Sequence, residues 1–91
     1  STGPNGFMLN PAYPNPFNPT TMLSYTLPVE ENVTIRLLDL RGRVLKVHHQ
    51  GKQKAGNHLF KLDGKNLSSG SYIAQVEAAG STLTQKISLI K

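Results

Sequence analysis

The chain carries many of the side chains that chemistry commonly uses, but not in arrangements that would let them act together. Serine is plentiful, yet none sits in a Gly-x-Ser-x-Gly elbow that would expose its hydroxyl on a sharp turn. A nucleophile also needs a base and an orienting group within hydrogen-bonding reach. His48 and His49 are sequence neighbours. On a strand, adjacent side chains leave on opposite faces, so these two cannot enter one site. His58 alternates with Phe60 and Leu62, which predicts a half-buried or rim histidine rather than a base. Asp39 and Asp63 read as turn residues whose carboxylates hydrogen-bond local backbone, and Glu30-Glu31 as an exposed turn. No paired carboxylates stand out for glycoside chemistry. No glycine-rich loop could cradle a phosphate. Metal binding would need clustered ligands, which the sequence does not supply. Cysteine is absent, which excludes disulfides, thiol catalysis and cysteine–zinc sites. The expectation is a protein that is not an enzyme, with no catalytic residue, no cofactor and no metal.

Charge is the next feature. Net charge is +5, and no Lys or Arg precedes Arg36. Eight of the ten basic residues fall between Arg36 and Lys65. Such a zone could attract an anionic partner, but a solvated strand face is the plainer reading. Single-stranded nucleic acid would want aromatic rings interleaved with the cations. Here Tyr25, Phe60 and Tyr72 read as core, and Phe7, Tyr13 and Phe17 lie in an uncharged segment. No nucleic-acid partner is expected. Tyr13 or Phe17 could stack on a carbohydrate, or could instead cover an open sandwich edge. Asn32-Val33-Thr34 and Asn66-Leu67-Ser68 match the N-glycosylation pattern, a triplet common by chance.

These residues must be positioned by a small β domain. Ninety-one residues suffice for one compact domain and not for two. Eight glycines and six prolines punctuate the chain too often for long helices. No apolar run is long enough to span a membrane as a helix, and no signal peptide is visible. The chain opens on Ser1 rather than Met, which reads as a fragment or processed product. Residues 1–18 are set apart by their prolines, Pro4, Pro11, Pro14 and Pro16, with Pro19 just beyond. Proline fixes φ and lacks an N–H, so this stretch is expected as an extended arm. Its apolar residues predict that at least Tyr13 and Phe17 lie against the domain, which spans residues 19–91.

From Pro19 onward the pattern has period two. Thr21 to Leu27 puts Leu23, Tyr25 and Leu27 on one face. Asn32 to Leu38 does the same with Val33, Ile35 and Leu37, and Asp39-Leu40-Arg41-Gly42 reads as a tight turn. Arg43 to His49 sets Leu45 and Val47 against Val44, Lys46 and His48. Gln50 to Lys54 reads as a loop or short edge strand. Asn57 to Leu62, Ser71 to Ala78 and Thr82 to Ile90 complete the set, with a turn at Ala79-Gly80-Ser81. Six strands and a candidate seventh, with turns about every ten residues, predict an all-β, immunoglobulin-like, Greek-key sandwich of about seven antiparallel strands. Leu67-Ser68-Ser69-Gly70-Ser71-Tyr72 is the most specific structural signal. A tyrosine entering the penultimate strand there can bury its ring and return its hydroxyl to the backbone just upstream, a tyrosine corner.

Several of these strings together resemble a known family. Tyr13-Pro14-Asn15-Pro16-Phe17-Asn18-Pro19-Thr20-Thr21, followed by Leu23-Ser24-Tyr25-Thr26-Leu27-Pro28, resembles the opening of the type A C-terminal sorting domain of the type IX secretion system. Asn32 to Ile35, Leu38 to Val44, Ala55 to His58, Leu67 to Tyr72, and the closing Lys86 and Leu89-Ile90-Lys91 follow in the family's order. The resemblance runs from about Phe7 to Lys91. It implies a domain that directs a larger cargo, N-terminal in the same chain, through the outer-membrane translocon of Bacteroidetes and relatives. It implies translocon components and a sortase-like peptidase as partners, and delivery through the periplasm and outer membrane to the cell surface or medium; the domain is expected to be a monomer. The recognised motif would comprise Pro14, Asn15, Pro16, Phe17, Asn18, Pro19, Gly70, Tyr72, Lys86 and Lys91. The competing readings are a structural or carbohydrate-binding immunoglobulin-like accessory domain of a secreted protein.

Overall fold

The structure is a computed structural model that describes residues 6–13, 15–78 and 80–90. Seven strands follow one another: β1 (Met8–Leu9), β2 (Thr20–Leu27), β3 (Glu31–Leu38), β4 (Val44–Gln53), β5 (Gly56–Asp63), β6 (Gly70–Ala78) and β7 (Ser81–Leu89). They form two sheets, one ordered β1-β2-β5 and the other β4-β3-β6-β7. Every strand pair is antiparallel. The chain changes sheet between β2 and β3, again between β4 and β5, and again between β5 and β6. This is the Greek-key path of an immunoglobulin-like sandwich. Among the described residues no helix is long and apolar enough to cross a membrane.

The period-two pattern places the core. Leu23, Tyr25 and Leu27 of β2 are buried, as are Val33, Ile35 and Leu37 of β3. Tyr72, Ala74, Val76 and Ala78 of β6 and Ile87 and Leu89 of β7 join the β3 set on the inner face of the larger sheet, opposite the β2 set of the smaller one. Alternate residues on these strands are partly or fully exposed. Strands of this kind hold their register because a slip of one residue would turn the buried set outward.

Three details differ from the sequence reading. Gln50–Gln53 is neither a loop nor a separate strand, because it continues β4 beyond a bulge at Gln50. The seventh strand is instead Met8–Leu9, which pairs with Thr26 and Tyr25 of β2. The proline-rich segment sends Phe7, Leu9, Ala12 and Phe17 into the core, whereas the Tyr13 ring is 80% exposed. In β4 the apolar residues Val44, Leu45 and Val47 face solvent, and Lys46 and His48 turn toward the other sheet. Lys46 Nζ donates to the Asp63 carbonyl at 2.9 Å, and the His48 ring lies 5.0 Å from that of Phe60. β4 is an edge strand. An inward-pointing lysine and bulges on an edge discourage pairing with stray strands.

Two local devices set the turns. In the β3–β4 hairpin the Gly42 N–H donates to the Asp39 carbonyl at 3.0 Å, and Gly42 has φ +86°. Asp39 Oδ1 accepts the N–H groups of Arg41 and Arg43, both at 2.9 Å. Its Oδ2 accepts from Arg43 Nε at 3.1 Å. The Arg43 N–H, with the Arg43 guanidinium and the Arg41 N–H, holds the Asp39 carboxyl below its usual range. At the entry to β6 the Tyr72 hydroxyl donates to the Ser68 carbonyl at 2.5 Å. The ring is buried and Leu67 packs against the core beside it, so the tyrosine corner is present.

Two expected outcomes follow from these devices. Tyr72→Ala lowers stability by about 3–5 kcal/mol, the usual loss for a large buried ring. Tyr72→Phe keeps the ring and costs only about 0.5–1.5 kcal/mol for the lost hydrogen bond. Urea titrations of both variants check the difference. For Asp39 the folded carboxyl titrates below the ordinary aspartate value, so its stabilisation is fully present above the pKa of the unfolded chain. It is lost as pH falls through the lowered folded value. Asp39→Asn therefore has a lower urea midpoint than wild type at neutral pH, and the gap closes in acid once the pH has fallen through the lowered folded value.

Candidate functional site

The proline-rich segment cannot form a regular strand, yet it closes one side of the sandwich. Its backbone first joins the smaller sheet. The Tyr13 N–H donates to the Met22 carbonyl at 3.2 Å, and the Met22 N–H donates to the Tyr13 carbonyl at 3.0 Å. The chain then passes to β7, the edge of the larger sheet. The Ala12 N–H donates to Gln85 Oε1 at 2.8 Å. The Phe17 N–H donates to the Ser88 carbonyl and the Ile90 N–H to the Phe17 carbonyl, each at 2.9 Å. Phe17 and Leu89 form a parallel bridge.

Asn15 supplies what proline cannot. Its Oδ1 accepts the Ser88 N–H at 3.0 Å, and its Nδ2 donates to the Lys86 carbonyl at 3.4 Å. A side-chain amide has the donor and acceptor of a peptide unit, so Asn15 stands in for one rung of a ladder. The Asn15-Pro16 and Asn18-Pro19 peptides are both cis. Pro16, Asn18 and Pro19 are exposed, while the Pro19 carbonyl accepts the Gly64 N–H at 2.8 Å. Phe17 drives its ring into the core, where it is 1% exposed. A Cβ on Gly64 would lie 3.0 Å from that ring and 3.1 Å from Leu89. A larger residue there would force Phe17 or Leu89 to give by a few tenths of an ångström.

The remaining motif residues converge on the same end of the larger sheet. Gly70 pairs with Leu89 and has φ +155°, a conformation other residues rarely adopt. Tyr72 pairs with Ile87, and Ile73 with the exposed Lys86. Asn15, Phe17, Gly70, Tyr72 and Lys86 thus gather around the β6–β7 pair although Asn15 and Lys86 are 71 positions apart. Pro14 and Lys91, the other two residues expected in the motif, lie outside the described residues. Sequence reasoning did not single out Gly64 or Gln85, and it named Asn15 in the motif without foreseeing its bonds to β7. A lone Asn between prolines was the available signal for those bonds.

The polar groups elsewhere are engaged structurally. His58 Nε2 is 2.6 Å from the Lys54 carbonyl, and its ring stacks on Tyr25 at 5.5 Å. The Tyr25 hydroxyl bonds Gln53 Oε1, and burial pushes its ionisation upward. Arg36 pairs with Glu77 at 2.6 Å and Arg43 with Asp39. Among the described residues no group of three or more His, Asp or Glu side chains could hold a metal ion. Phe17 is buried and cannot stack on a sugar, whereas the Tyr13 ring is free to solvent.

Asn15→Ala removes both amide bonds to β7 and costs about 0.5–1.5 kcal/mol for this exposed pair. Hydrogen exchange locates the effect: Ser88 amide protection falls in the variant while amides at the centre of β3 keep theirs. Unchanged Ser88 protection would refute the assigned bond.

A family model for the secretion system C-terminal sorting domain matches residues 11–91. No curated protein matches the chain. The matched span takes in the proline-rich motif, the tyrosine corner and the last strand, which are the elements brought together above. The chain therefore belongs to the C-terminal sorting domain family of the type IX secretion system and serves as a sorting signal for that route.

Proposed function

We propose that this domain carries a cargo joined to its N-terminal side across the outer membrane, and that it does so as a folded recognition element rather than as an enzyme. The recognised surface is the end of the sandwich where Asn15, Phe17, Gly70, Tyr72 and Lys86 meet. The observation that supports this reading is that convergence, since residues spread over the whole chain are gathered on one sheet end. Phe17 and Tyr72 shape that end from within, and Asn15, Gly70 and Lys86 lie at its surface. Pro14, Pro16, Asn18, Pro19 and Lys91 complete the motif.

In this reading the partners are the translocon, which takes up the domain, and a sortase-like peptidase, which removes it and joins the cargo to the cell surface. The domain acts as a monomer, without cofactor and without nucleic acid. Delivery ends at the cell surface or in the medium.

The test is export of a reporter fused ahead of residues 1–91 in a type IX-competent host. The intact fusion is exported, and a fusion ending at Ile73, which lacks β7, stays inside. Equal export of the two would overturn the reading. Gly70→Ala separates shape from mere folding. It is expected to lower export by more than its drop in melting temperature accounts for, because Gly70 sets the backbone of the recognised end; export that merely tracks stability would refute the role.

A further inference from the structure

We propose that the outer face of the four-stranded sheet, at the end where Val44, Leu38, Ile73 and Lys86 form one cross-strand row, docks a protein partner that presents apolar side chains beside a carboxylate. The register defines the row. Leu38 pairs with Val44 on one side and with Ile73 on the other, and Ile73 pairs with Lys86. Residues directly opposite in a ladder share a face. Leu38, Ile73 and Lys86 each adjoin a buried residue, Leu37, Tyr72 and Ile87, so the row points away from the core.

The row breaks the usual pattern of a sandwich exterior. Outward positions of such sheets are ordinarily polar. The rows beyond turn polar: the next holds Val47 at the β4 edge and then Arg36, Gln75 and Thr84, and the one after it is His49, Thr34, Glu77 and Thr82. The apolar set is confined to one end, where Val44 is 47% exposed and Val47, beside Arg36, is 43% exposed. Leu40 of the adjoining turn is exposed as well. Leu38 and Ile73 between them are half-buried, so the patch is continuous, and contiguous apolar side chains open to solvent with a polar border mark interaction surfaces.

Charge selects the occupant. The ion pairs among the described residues join Arg36 to Glu77 and Arg43 to Asp39, and the Lys86 ammonium enters neither. Lys86 is therefore an unneutralised cation at the end of an apolar row, on a chain of net charge +5. A second copy would bring like charge against like charge. A partner with a carboxylate placed for Lys86 and apolar side chains for Ile73, Leu38 and Val44 is complementary. The surface also borders the proline-rich arm, since Asn15 Nδ2 donates to the Lys86 carbonyl. The inference rests on the sorting reading and names the face that the export machinery would grip.

The experiment compares the 91-residue chain with Val44→Glu, Lys86→Glu and the control Thr84→Glu, which lies on the same face in a polar row. Each is fused to the reporter for export, and each is titrated against purified, detergent-solubilised type IX translocon. Melting temperatures are taken for all. Val44→Glu and Lys86→Glu each weaken binding about tenfold or more and lower export, while Thr84→Glu stays within about twofold and all melt like wild type. If wild type is exported and both row variants bind and export like it, the docking face is wrong and the sorting reading stands. If the wild-type fusion is not exported at all, the sorting reading falls and this inference with it. Patch-dependent binding to phosphatidylglycerol vesicles, or patch-dependent self-association on sedimentation, with export unaffected, would overturn it in favour of a lipid surface or a second copy.

Discussion

A sheet edge leaves a row of backbone N–H and C=O groups without partners, and a small sandwich has several such edges to protect. In this domain the edge at β7 is met by a segment that is itself unable to be a strand. Prolines remove its donors, so the pairing is assembled from what remains: the Phe17 backbone, the Asn15 side-chain amide, and Gln85 reaching back to Ala12. Phe17 anchors this seam, because its ring fills the space left by Gly64 and its backbone bridges to Leu89. The proline motif, β7 and the β5–β6 connection are thus mutually dependent. The opposite edge at β4 is handled differently, by bulges and by Lys46 turned inward onto Asp63.

Much of this was legible in the sequence, and what was legible was local. Alternation marked β2, β3, β6 and β7 because each has one buried face, and the period of a strand follows directly from its geometry. The tyrosine corner was legible because Tyr72 and Ser68 are only four positions apart. The Asp39 turn was legible because the carboxylate serves its own neighbours. The family strings lay in order along the chain.

The parts that were not legible depend on distant partners. Nothing near Asn15 states that Ser88, 73 positions on, will need an acceptor. Tyr13 looked like a ring to be buried, but it is held by its backbone against Met22 and its side chain is left outside. β4 carries apolar residues on both of its alternating sets, so its inward face could not be assigned from pattern. Edge position decided it: at a seam between sheets, long polar side chains such as Lys46 can bridge while keeping their ends hydrated. Met8–Leu9 is too short to announce itself as a strand and exists because β2 offers it an edge.

The parallel bridge between Phe17 and Leu89 has a mechanical consequence. The arm enters from the N-terminal side, and β7 runs out toward the C-terminus. Tension applied between the two ends of the domain therefore runs along both segments in opposite directions. The bonds joining Phe17 to Ser88 and Ile90, with the two from Asn15, lie across that pull. They are loaded together in shear and must give way as a group, whereas an antiparallel hairpin peeled from its open end loses one rung at a time. The clasp resists most along the axis in which a tethered load would draw on it.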